Sequence, residues 1–219
     1  MSDTQTTTVP VAEAVAARHP GVAVRRAVVD AASTTMDADA ARLWTEAHRQ
    51  WTDRSRGEIR RHPAVAAYRA FAADLGLQPD RNPPSIQMLI DRGLRGKALG
   101  SWPDVNPAVN LLNAQAVATM TALGAFDADR VDGEVLLRFS EAGEPFTPLG
   151  GEATALDAGQ LVLADRTRVL SLFARRDGVH QAVRADSRRL MLLGCVVPGI
   201  AAASVANAVD ELARRMSAA

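Results

Sequence analysis

Apolar positions recur every three or four residues up to about residue 121, whereas from Gly133 onward they alternate or run together. That change of period predicts helices first and strands afterwards. Residues 10–18 and 36–61 carry helical spacing, and Thr35, Asp37 and Asp39 supply a start for the longer segment. Trp44 and Trp51 lie seven residues apart on one face of it, a spacing that suits core anchors better than a base-stacking platform. Residues 22–29 read as a strand between these helices. A further helix over 63–75 opens on Pro63 and stops at Gly76. The three prolines of segment 78–85 exclude a helix there, and Ser85 then caps or begins a new helix through Arg92 and Arg95. Residues 107–121 form the next helix, and Leu123-Gly124-Ala125-Phe126-Asp127 reads as a turn after it. Strands are expected over 134–139, 160–164, 168–174, 180–185 and 190–196, and a last helix over 200–216. Residues 1–9 are expected to be a disordered tail.

The chain has 219 residues, 47% of them hydrophobic, enough for one substantial core. No apolar run reaches the roughly 18 residues that span a bilayer, and the polar start lacks the order of a secretion signal, so the cytoplasm is the expected location. The single cysteine, Cys195, sits in an apolar run and reads as a buried, inert thiol. Acidic and basic residues balance at 25 each, which removes any global attraction for nucleic acid. RNA contacts would have to be local. The clusters available are Arg54, Arg56, Arg60 and Arg61; Arg175 and Arg176; and Arg184, Arg188 and Arg189. Solvated faces paired with nearby carboxylates are the commoner reading of such clusters.

Phosphate-loop, dinucleotide-binding and His-Glu-x-x-His motifs are all missing, so nothing supports nucleotide hydrolysis, dinucleotide redox chemistry or helix-borne zinc. No metal or cofactor is implied. Asn106, Asn110 and Asn113, at spacings of four and three, project their amides from one helix face, an uncommon way to build a core and a natural wall for a polar pocket. Arg138 and Glu144 read either as a cross-strand ion pair or as ligand-binding groups. Among the four histidines only His180 lies in the strand-rich half near polar partners, with Asp177 just before it. A surface contact and a general base are both open to it.

The succession Val109-Asn110-Leu111-Leu112-Asn113, then Ala125-Phe126-Asp127, Arg138 and Gly143-Glu144, resembles the editing domain of the bacterial phenylalanyl-tRNA synthetase beta subunit. Tyr68-Arg69, Gly76, Pro79 and Ser85 extend the likeness upstream. It implies an α/β (α+β) fold, a mostly antiparallel or mixed sheet packed by N-terminal, central and C-terminal helices. Residues 62–219 would be the editing-like core and residues 10–61 an extension of the same domain. The resembled domain hydrolyses tyrosine wrongly attached to tRNA, which implies an aminoacyl-tRNA or aminoacyl ester as partner here. Asn113 takes the place of the helix asparagine, Asn110 that of its aspartate, and Arg138 and Glu144 those of the strand arginine and acid; Asn106 joins them as a substrate-binding candidate. Two positions depart: Gly124 stands where the domain has histidine, and Ala182 where it has glutamate. His180 and Asp177, or the ribose hydroxyl of the substrate, would then supply the acid-base groups, and Arg175, Arg176 and Arg188 would meet RNA. A pocket recruited for a free amino-acid-like metabolite, and a non-catalytic RNA- or protein-binding module, are the alternatives.

Overall fold

The computed structural model describes residues 6–173 and 175–217. Elements follow the order β1 (Thr7–Thr8), α1 (Glu13–Arg18), β2 (Ala23–Asp30), α2 (Met36–Trp51), α3 (Arg56–Arg61), α4 (Pro63–Asp74), α5 (Ser85–Gly93), α6 (Pro107–Thr119), β3 (Leu123–Asp127), β4 (Leu136–Phe139), β5 (Pro145–Phe146), β6 (Thr154–Ala155), β7 (Leu161–Ala164), β8 (Val169–Leu172), β9 (Arg176–Asp177), β10 (Arg189–Val196) and α7 (Ala202–Met216). This is a mixed α/β architecture whose strands pair antiparallel. Strand order is β1-β2-β10-β3 in one four-stranded sheet and β4-β7-β8-β9 in the other, with β5 and β6 as a separate pair.

Side-chain alternation on β10 shows how the layers are assembled. Met191 and Leu193 enter a core shared with Leu137, Leu161 and Leu163 of the second sheet and with Val65, Tyr68 and Phe71 of α4. The intervening Leu190 and Leu192 face the other way, into a core with Leu43, Trp44 and Trp51 of α2, Leu111 of α6 and Val209 and Leu212 of α7. The first sheet is therefore covered by the second sheet and α4 on its inner face and by helices on its outer face. Both tryptophans are buried, as their spacing predicts.

Four expectations need correction. Residues 36–61 are two helices, because Ser55 accepts the Glu58 N–H (3.2 Å) while the Glu58 carboxylate accepts the Ser55 N–H (2.9 Å); this capping box starts α3 afresh. Residues 123–127 are strand β3, paired with β10 from Leu123↔Gly194 to Asp127↔Leu190. Residues 180–185 form no strand; Gln181 lies there with its side chain bound to the Leu170 carbonyl and its own carbonyl accepting the Asp127 N–H (2.8 Å). Thr7 and Thr8, within the supposed disordered tail, pair with Arg26 and Arg25, and Val9 behind them is fully buried. Residues 1–5 lie outside the described residues.

Candidate functional site

The asparagine face of α6 is mostly used to build the helix. Asn106 caps it, accepting the Val109 N–H at 3.0 Å. Asn110 closes the preceding loop by accepting the Val105 N–H (2.8 Å) and donating to Asp104 (2.7 Å). Asn113 is half-buried, and its amide makes no hydrogen bond among the described residues. Arg138 and Glu144 are joined to each other: one guanidinium nitrogen donates to Glu144 (2.9 Å), the second also reaches that carboxylate, and Arg138 further donates to the Phe139 carbonyl (3.0 Å). The Glu144 carboxylate also accepts the Glu141 N–H (2.9 Å). Arg138 holds the Glu144 pKa below the ordinary carboxylate value. These two side chains thus pin the 139–145 turn.

His180 is exposed in the turn after β9, with no hydrogen bond or ion pair to Asp177 among the described residues. Arg175, Arg176 and Arg188 are exposed, and none contacts a carboxylate among the described residues; Arg175 donates to the Gln160 side chain (3.2 Å). In the first arginine cluster, by contrast, Arg54 pairs with Glu58 (3.0 Å), Arg56 with Asp91 (3.8 Å) and Arg60 with Asp80 (3.1 Å). Asp91 and Asp80 are shared with Arg95 and Arg69, so arginines still outnumber their carboxylate partners on that face.

Polar groups converge elsewhere, between the inner faces of the two sheets. Gly124 pairs with Leu193, so both face the inner core, and a Cβ built on Gly124 would meet nothing within 4 Å. The residue is half-buried, so a recess opens at this point. Cys195, two residues along β10, faces the same side. Tyr68 of α4 closes one end: its hydroxyl donates to the Cys195 carbonyl (2.8 Å) and accepts the Ala122 N–H (3.1 Å). Desolvation, then Cys195, raise the Tyr68 pKa, with the Ala122 N–H opposing, so the hydroxyl stays protonated.

The facing wall comes from the second sheet. Ser171 pairs with Leu163 on β7 and with Asp177 on β9, so Ser171 and Asp177 share the inward face. A bulge beside them leaves Leu170 as the extra residue, and its carbonyl accepts the Gly178 N–H (2.7 Å) and the Gln181 amide. A Cβ at residue 178 would lie 2.9 Å from that oxygen, so glycine is required for β9 to approach. Solvent reaches Asp177, yet desolvation pushes its pKa up, with the Ser171 hydroxyl opposing. Its carboxylate therefore stands at the solvent-facing edge of the second sheet's inward side. Its charge also acts across the cleft on Cys195, whose thiol is pushed up to about 12, chiefly by desolvation, and is no nucleophile at neutral pH.

Asp127 fixes the remaining edge. It accepts the Asp129 N–H (3.2 Å), Arg130 (3.2 Å) and the Ser187 hydroxyl (2.7 Å), tying the end of β3 to the loop before β10. Sequence reasoning took Asp177 only as a partner for His180 and passed over Tyr68 and Ser171 as site groups. One signal was available: Ser171 interrupts an otherwise apolar strand, where an inward hydroxyl needs a polar neighbour.

The sequence profile of the B3/4 domain family matches residues 67–217. The chain is 31% identical over 144 residues to the phenylalanine-tRNA ligase beta subunit of Pseudomonas fluorescens strain Pf-5, covering 66% of this chain and 18% of that protein. It is 31% identical over 88 residues to the same subunit from Pectobacterium atrosepticum, covering 40% and 11%. The chain therefore spans under a fifth of the length of these curated relatives. A solved N-terminal fragment of the phenylalanyl-tRNA synthetase beta subunit from Pyrococcus horikoshii aligns with a TM-score of 0.42 and 19% identity over 50% of this chain and 39% of that one.

Proposed function

Because this chain belongs to the B3/4 domain family, we propose that it recognises the aminoacyl end of a charged tRNA and removes the amino acid by ester hydrolysis. The observation that carries the reading is the open recess beside Gly124, at the position where the resembled editing domain has a histidine. Glycine there leaves that part of the inner face open, on the side to which Tyr68 and Asp177 also belong. Of the three α6 asparagines, Asn113 alone has its amide unengaged among the described residues, so it remains the substrate-binding candidate of that helix.

Water is the nucleophile. It adds to the ester carbonyl carbon, the bond to the ribose oxygen breaks, and the departing oxygen takes a proton. Gly124 and Ala182 supply no acceptor, so the neighbouring ribose hydroxyl relays the proton from water to the leaving oxygen. Arg175, Arg176 and Arg188 carry the phosphate contacts, since no carboxylate neutralises them among the described residues.

The test is deacylation of a panel of correctly and incorrectly charged tRNAs. Asn113→Ala should lower deacylation or affinity and leave the melting temperature nearly unchanged, whereas Asn106→Ala should cost roughly 1 kcal/mol of stability through the lost cap. Equal loss of stability and activity in Asn113→Ala would make it structural. One observation favours a second reading, binding of a free amino-acid-like metabolite: the balanced overall charge offers little to a large polyanion. Binding of the small ligand that survives without the tRNA body would select it.

A further inference from the structure

We infer that Asp177 is the site for a primary ammonium group, and that it reads the free α-amino group of the aminoacyl ligand; the neighbouring Ser171 hydroxyl is taken by the Arg176 carbonyl (3.2 Å). The inference rests on the aminoacyl-recognition reading above and adds to it the part of the ligand that this wall takes. Register places the Asp177 and Ser171 side chains on the inward face of the second sheet. Solvent reaches the carboxylate there, but no arginine, lysine or histidine pairs with it among the described residues. Its neighbour Arg176 is turned away by strand alternation, with a guanidinium nitrogen 3.3 Å from where a Cβ on Gly151 would stand.

A carboxylate in such a place carries an unmet demand for a cation. Desolvation raises its pKa, so docking an ammonium restores the charged form and gains a charge-assisted hydrogen bond. An anion would be repelled, and a neutral group would gain little. The opposite wall suits the rest of such a ligand: Gly124 leaves room beside Leu193, and Tyr68 fixes the Cys195 and Ala122 backbone that forms the floor. The α-amino group and the ester of an amino acid lie on one carbon, so a ligand held at Asp177 keeps its ester inside the same cleft.

Blocking the amine separates this inference from its premise. The probes are the twenty L-amino-acid methyl esters and their N-acetyl counterparts, measured by calorimetry, together with a charged tRNA pool and the same pool N-acetylated, measured by filter retention. The wild-type protein should bind at least one free-amine ester, and the charged pool, roughly tenfold more tightly than the acetylated forms. Asp177→Asn should lose that preference at an unchanged melting temperature, and Asp177→Glu should keep part of it. Preference for free-amine esters with no retention of either tRNA pool would support the ammonium site and remove only the tRNA reading. Equal binding of free and acetylated probes by the wild type, or an undiminished preference in Asp177→Asn, would overturn the inference while leaving aminoacyl-tRNA recognition intact.

Discussion

Two glycines on neighbouring strands offer the sharpest check of the cleft. Gly124 on β3 and Gly194 on β10 have ordinary backbone angles, so alanine is conformationally acceptable at both. In a Gly→Ala exchange that fits, the lost freedom of the unfolded chain stabilises by roughly 0.4–1 kcal/mol. At position 124 nothing opposes this, since the Cβ would meet no atom within 4 Å. At position 194 the Cβ would lie 2.6 Å from a methyl of Val205 and 2.8 Å from one of Val209. Valine is stiff about χ1, and both methyls belong to α7, so the helix itself must retreat. Overpacking of this kind costs about 1–3 kcal/mol. The gain from the unfolded chain is common to both variants, so they should differ by about 1–3 kcal/mol, or roughly 2–12 °C in melting temperature for a chain of this size, with Gly124→Ala the more stable. Thermal unfolding followed by circular dichroism measures this directly. If Gly124→Ala melts several degrees below the wild type, the inner face is filled at that point and the recess does not exist.

Tyr68→Phe should cost about 1–3 kcal/mol in chemical denaturation, because it strands the buried Ala122 N–H that now donates to the hydroxyl; no loss would mean that water replaces the hydroxyl freely. The Arg138–Glu144 pair should make stability depend on acid. Arg138 lowers the folded-state pKa of Glu144, so the folded protein binds this proton more weakly than the unfolded chain. The pair's contribution is then fully present above the unfolded carboxylate pKa of about 4.3 and fades as pH falls through the lower folded value. Both side chains are partly exposed, so Glu144→Gln should cost no more than about 1 kcal/mol at pH 7 and nothing at low pH. A difference that persists unchanged at low pH would show that the carboxylate's charge plays no part.

Elements whose signal is local were legible in the sequence. The helical spacing around Trp44 and Trp51, the proline and glycine bounding α4, and the asparagine opening α6 are each settled within a few residues. The capping box at Ser55 and Glu58 was equally local but was masked by apolar spacing that continues across it. Strand β3 and residues 180–185 were misread because pairing decides them: β10 recruits Leu123–Asp127 as an edge strand, and the Leu170 carbonyl captures Gln181. The same limit applies to the site. That Arg138 and Glu144 pair could be read as one of two options from their spacing around a turn. That Asp177 faces inward depends on the register of three strands and on one bulge, which no local pattern contains.

The two walls of the cleft depart from the resembled editing domain in complementary ways. On the first sheet a histidine becomes Gly124, which removes both a base and its volume. On the second, Asp177 of β9 places a carboxylate on the inward face. If the cleft had merely decayed, its emptied space would be expected to collapse, since apolar neighbours gain by closing a void. Instead the space beside Gly124 remains open, and the backbone around it is held by directed hydrogen bonds: Tyr68 to Cys195 and Ala122, Asp127 to Ser187, and the Leu170 carbonyl to Gly178. The opening at Gly124 is thus a braced feature of the backbone and not a void left to close.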